Sequence, residues 1–293
     1  MNAFDVPIRQ SFFVNMVGKV DLPNAIALNS SIFNGARVVG PAIAGFTISL
    51  IGEGWCFFVN GLSFLAVIVA LLAMRVMPQE EMSGDQSAWQ HLLQGFRFSM
   101  NDRVIRSVLI LLSMLSFFGL QYMVFMPIFA RDVLHGGARG LGLLMSASGI
   151  GAVLGALQFA ARTKYKGMLK WVGTMFLIAS IGLIAFSQSR WFWISSIVLF
   201  VFGFAATSQM AATNTTVQNR VPDELRSRVM AVYATMFMGV QPIGSLFAGG
   251  LAKRFGAPAT VAAFGTICLL GSLIYFWRAI PWARSAQPVV AKT

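Results

Sequence analysis

Acidic side chains are scarce in this sequence: Asp and Glu together number 10 against 22 Lys and Arg, and there are only 2 His and 2 Cys. Each shortage excludes a class of chemistry. Cys56 and Cys268 both fall in apolar runs, with no CxxC and no paired histidines, so neither a disulfide framework nor a zinc site is expected, only buried thiols. His91 and His135 lie in separate polar stretches and are expected to be solvated. Every Asp and Glu sits in a polar loop or at the end of an apolar run. That leaves no pair of carboxylates for acid–base work at membrane depth, and neither HExxH nor GxSxG occurs. No catalytic residue, metal or cofactor is expected, which argues against an enzyme.

What the chain has in abundance is hydrocarbon. Hydrophobic residues make up 57% and charged residues 11%, with a mean hydropathy of +0.71. Soluble domains carry about a quarter charged residues. The expected fold is therefore all-α, a polytopic membrane bundle counted in apolar stretches of about 20 residues. Eight fit: 25–51, 55–74, 104–130, 141–161, 171–187, 191–213, 229–251 and 258–277. Residues 1–23 have helical periodicity in Ile8, Phe12, Phe13, Met16 and Val20, which suits a short helix lying on the membrane surface. Residues 75–103 form the longest polar stretch and end in an amphipathic segment around Trp89, Leu92, Leu93 and Phe96.

A formal charge of +12 raises the question of a nucleic-acid partner, and the placement of the basic residues answers it. No basic run is interleaved with aromatics in a soluble segment, so no nucleic acid is expected. Sixteen of the Lys and Arg residues fall in alternate loops, five (Arg131, Arg139, Arg190, Lys253 and Arg254) fall in the others, and Arg37 is the remaining one. That bias follows the positive-inside rule and puts both termini in the cytoplasm. The lipid bilayer is the first expected partner.

The chain also repeats itself. Shifting by 204 residues superposes Gly40 on Gly244, Ala44 on Ala248, Gly45 on Gly249, Gly52 on Gly256 and Gly61 on Gly265 without a gap. Glycines held in register over about 45 residues point to duplication, because glycine marks close approaches and turns. The second copy begins six spans after the first, so the repeating unit is a six-helix bundle. The expected organisation is a remnant of a first bundle at 1–76, a cytoplasmic linker at 77–103, a second bundle at 104–280 and a loose tail at 281–293. Projecting position 104 back by the same offset puts the start of the first bundle about 100 residues before Met1. The sequence is thus expected to be a truncated form lacking about four helices.

Two six-helix units joined by a linker resemble the major facilitator superfamily. Gly40-Pro41-Ala42-Ile43-Ala44-Gly45 is similar to the Gly-Pro-x-x-Gly-Gly motif of its drug–proton antiporters, with Ala44 replacing one glycine. Pro7-Ile8-Arg9-Gln10, Asp21-Leu22-Pro23-Asn24-Ala25 and the pair Asn34 and Arg37 resemble the exporter branch that contains enterobactin exporters and transmembrane secretion effectors. The loop Arg162-Thr163-Lys164-Tyr165-Lys166 resembles a family loop signature but lacks its acidic residue.

The resemblance implies a monomeric, secondary active exporter of a small molecule, of drug or siderophore type, in the bacterial inner membrane. It also implies alternating access, with protons as the coupling ion. The competing expectation is a non-transporting fragment or structural membrane subunit. By the family's helix order, Gln121, Gln209 and Asn214 are candidate cavity-lining groups; each amide has the alternative of bonding a neighbouring helix. Gly40, Pro41, Ala44 and Gly45 are expected to form a gating or packing seam with the stripe Ala147, Gly151 and Gly155, and Gly244 and Gly249 form the repeat's copy of the motif. Arg37, buried in its apolar run and sharing a helix face with Asn34, has three roles open to it: binding an anion, relaying a proton, or bracing a helix.

Overall fold

The computed structural model describes residues 53–73, 88–162 and 167–283, which form helices and short turns with no strand among them. The chain divides into two compact units, 1–85 and 86–293. From the first unit one helix is described: α1, Glu53–Ala73, of 21 residues. At 1.5 Å per residue it is about 31 Å long, the length of a membrane crossing, and it coincides with the expected second span. Near its start the rings of Trp55 and Phe58 meet edge-on at 5.7 Å. The span at 25–51, with Asn34, Arg37, Gly40, Pro41, Ala44 and Gly45, lies outside the described residues.

The second unit opens with α2, Ala88–Asn101, the amphipathic segment of the polar stretch. Next come α3 (Arg103–Phe117), a 3-10 turn (Gly119–Gln121), α4 (Tyr122–Ile128) and a π turn (Phe129–Val133), then α5 (Gly137–Ala160), α6 (Met168–Gln188) and α7 (Phe192–Arg220). It closes with α8 (Asp223–Ala234), a second π turn (Thr235–Gly239), α9 (Val240–Phe255) and α10 (Ala257–Ala283). Taking the interrupted rods as continuous, 6 stretches among the described residues are long and apolar enough to cross a bilayer. Each overlaps one of the spans expected between 104 and 277.

Local chemistry sets the ends of these rods. Asp102 caps α3, accepting from the backbone N–H groups of Val104 and Ile105 at 2.9 Å each, which satisfies two of the donors that a helix start leaves orphaned. Its other oxygen accepts from Arg220 Nε at 2.8 Å. One carboxylate thus ties the start of α3 to the end of α7. Between α9 and α10 the chain reverses at Gly256, whose φ of +82 suits glycine alone; the repeat offset pairs this residue with Gly52. The α2 helix packs on α8, where Gly95 admits the backbone of Arg228 and Gln94 bonds the Arg228 guanidinium.

The core is apolar and aromatic. Phe129, Phe176, Phe186 and Phe202 are among its largest fully buried side chains. Tyr122 stacks edge-on against Phe202 at 4.7 Å, and its hydroxyl lies 2.8 Å from Ser148 Oγ. Beside it runs the tightest seam in the unit, between α5 and α7. A Cβ on Gly151 would overlap the carbonyl oxygen of Phe200, one on Gly155 that of Phe204, and one on Gly203 that of Ser148. Ser208 Oγ donates across the seam to Gly155 O at 3.0 Å. Glycines on both helices therefore let the two backbones touch.

This corrects one expectation. The face of Gly151 and Gly155, assigned above to the helix of Gly40 and Pro41, is occupied by α7, because Gly203 supplies the reciprocal small residue within the second unit. Gly249 differs again: nothing approaches its would-be Cβ within 4 Å. Replacing Gly151 with Val should force the seam apart and cost about 3 kcal/mol or more, seen as a lower midpoint of thermal unfolding in detergent. Gly249→Val should leave that midpoint near the unmutated value.

Candidate functional site

Two of the six crossing rods are broken, and the breaks face each other. The first interrupts α3 after Phe117, where the chain tightens into the turn Gly119–Gln121 and resumes as α4 with Pro127 inside it. The second is the π turn Thr235–Gly239 between α8 and α9. Pro242 explains it. A proline has no N–H to give and its ring collides with the carbonyl four residues earlier, here Met238, so the preceding turn widens.

Broken helices at membrane depth leave backbone carbonyls without intrahelical donors, and such breaks persist only where protein groups replace the lost bonds. Here that role falls to Ser116 and, beside it, Gln121. Gln121 is 1% exposed, and its Nε2 donates to Ser116 O at 3.0 Å and to Gln241 O at 3.2 Å. Its Oε1 accepts from Ser245 Oγ at 2.8 Å. Ser116 Oγ donates to Phe237 O in the middle of the π turn. Gly244 completes the contact: a Cβ there would collide with Phe117 O and lie 2.6 Å from Gln121 Nε2. Around this polar clasp Phe117 packs against Phe247 with centroids 5.7 Å apart, and Phe118 against Phe264 at 5.2 Å.

The three expected lining residues do not converge. Gln121 sits in the clasp with both amide hydrogens used, which is the helix-bonding alternative rather than an open cavity wall. Gln209 on α7 is fully buried; its Nε2 donates to Thr213 Oγ1 at 3.1 Å while its Oε1 has no partner. Asn214, nearer the basic end of α7, is half-buried and accepts from Gln218. Among the described residues no hydrogen bond joins any two of the three. Close by, Tyr233 on α8 donates to Met210 O at 3.4 Å.

Sequence inspection missed Ser116, Gln241 and Ser245 as members of this cluster. A signal existed. The offset of 204 pairs Arg37 with Gln241, so the one charged position of the first motif marks a polar position in the second; the offset carries no such mark for Ser245, which is paired with Pro41, or for Ser116.

A sequence profile of the family described as transmembrane secretion effectors matches residues 2–292. The chain belongs to that family. It is a branch of the major facilitator superfamily, a family of transporters, and the protein is a multi-pass membrane protein. Similar proteins include the staphyloferrin A transporter of Staphylococcus aureus, 28% identical over 280 residues, covering 92% of this chain and 68% of that one. The multidrug efflux pump Tap of Mycolicibacterium fortuitum is 24% identical, covering 87% of this chain and 63% of that one. The enterobactin exporter EntS of Shigella boydii is 24% identical, covering 88% and 62%. The chain thus spans about two thirds of the length of these relatives. Among solved structures, a bacterial homologue of the human lysosomal transporter Spinster superposes with a TM-score of 0.66 at 16% identity, covering 97% of this chain and 76% of that one. That likeness establishes the fold.

If Pro242 causes the second break, Pro242→Ala should let the turn tighten towards an α-helix. One recovered backbone bond corresponds to about tenfold slower amide exchange over 235–241, measured by hydrogen–deuterium exchange in detergent. Unchanged exchange would assign the π turn to the clasp alone.

Proposed function

We infer that this protein is a secondary active exporter that moves small amphipathic molecules, of siderophore or drug type, out of the cell by alternating access. The observation that carries this reading is the pair of broken helices joined by a polar clasp. A bundle meant only to brace a membrane complex gains from unbroken rods, whereas alternating access needs helices that bend at set places and re-satisfy their backbone in each state. The names of the relatives support the substrate type, since they include siderophore transporters and a multidrug pump.

The proposed setting is a bacterial inner membrane with the C-terminus in the cytoplasm, and the proposed unit is a monomer. Protons are the proposed coupling ion, on the resemblance of Gly40-Pro41 to the antiporter motif. Among the described residues no carboxylate lies inside a span: Glu53 starts α1, Asp102 caps α3, and Asp132, Asp223 and Glu224 stand at rod ends. The proton carrier is therefore sought outside them, and Arg37 is the proposed charge that responds to it. Gln209, with its unpartnered Oε1, is the proposed substrate-facing amide once the bundle opens; Gln121 and Asn214 are assigned to helix contacts.

Deleting the gene should raise cellular retention of the organism's own siderophore, or of a cationic dye, several-fold over the parent strain, with recovery on complementation. A protonophore should raise parental retention to the deletion level. Unchanged retention of both compounds contradicts the export function.

A further inference from the structure

The basic end of the second unit holds a cleft of about 240 Å³ between α3, α6 and α10. Its rim carries Arg103, Arg106 and Arg278, and among the described residues no acidic one lines it. Both flanking spans terminate at this rim, one starting at Arg103 and the other stopping at Arg278, which sets it at the level where hydrocarbon gives way to headgroups. Below the rim the lining turns apolar, with Ile110 and Ile274 50% and 55% exposed on its flanks. Tyr275 closes the back by donating to Leu169 O at 3.0 Å.

Two of the rim guanidiniums have contacts nearby. Arg106 donates to Met100 O at 3.1 Å, and Arg278 lies 5.8 Å from the ring of Trp277. Among the described residues, Asp102, next to Arg103 in sequence, accepts from the start of α3 and from Arg220. Three positive charges above an apolar slot, about 10 Å deep between Arg103 and Ile110 at 1.5 Å per residue, match an amphiphile with an anionic head. We propose that this cleft binds one anionic glycerophospholipid, its phosphate on the arginine rim and one acyl chain along Ile110 and Ile274. A soluble anion would leave the apolar slot unused. A zwitterionic lipid would bring its own cation against the arginines.

Native mass spectrometry of the purified protein in detergent, titrated with phosphatidylglycerol and with phosphatidylcholine of matched chains, tests this. The anionic lipid should bind about tenfold more tightly. Arg106→Gln with Arg278→Gln should abolish that preference, while Arg131→Gln with Arg190→Gln, at the opposite end of the bundle, should keep it. Glycerophosphoglycerol, the same headgroup without chains, should compete poorly. Equal binding of the two lipids to the unmutated protein overturns the proposal whether or not a variant folds. So does equal loss of preference in both double variants, or competition by the bare headgroup as effective as by the lipid.

Discussion

Backbone carbonyls freed at membrane depth constrain this structure more than any other feature. A helix that breaks in hydrocarbon strands polar groups that water cannot reach, at several kcal/mol each. The second unit breaks two helices; at the first break Gln121 Nε2 donates to the Ser116 carbonyl, and Ser116 Oγ donates to Phe237 O in the π turn of the second, while Gln121 also bonds the Gln241 carbonyl on the other rod. Interhelical hydrogen bonds in membranes are worth only about 0.6 kcal/mol on average. The clasp is thus sufficient to hold one arrangement and weak enough to exchange for another. That balance suits a joint.

The neighbouring seam is of the opposite kind. Where α5 and α7 cross, glycines on both helices bring backbone against backbone, and the contact tolerates no alternative without steric collision. The close-packed α5–α7 pair stands alongside two interrupted rods, α3–α4 and α8–α9, so the unit combines an unbroken part with a broken one. The arginine-rimmed cleft lies on the first turns of α3, so a lipid held there would grip one of the jointed rods close to the bilayer surface.

The six spans of the second unit were legible because membrane helices declare themselves by length and composition, which need no tertiary information. The repeat was read from glycine, and of its second copy Gly256 sits at a positive φ and Gly244 at a backbone contact, positions that other residues occupy only with strain; Gly40, Gly45 and Gly52 of the first copy lie outside the described residues. The partner of the Gly151 stripe was not legible. Small residues signal that something approaches, not what, and the decisive Gly203 is the only glycine of α7. Gln121 was singled out for its polarity in an apolar run, but its role depended on a break in a helix that hydropathy reads as continuous. The breaks themselves leave faint traces, Pro242 after one and Gly119 within the other. Arg37, Asn34 and the Gly40-Pro41 motif are carried by sequence alone, since they lie outside the described residues.

The central claim is that Gln121 and Ser245 act as one unit across the two broken rods. A double-mutant cycle measures this directly: unfolding free energies of Gln121→Ala, Ser245→Ala and the double variant in detergent. The account predicts a coupling of about 0.5 to 1.5 kcal/mol between them. Effects that add within about 0.3 kcal/mol would mean that the clasp holds nothing together.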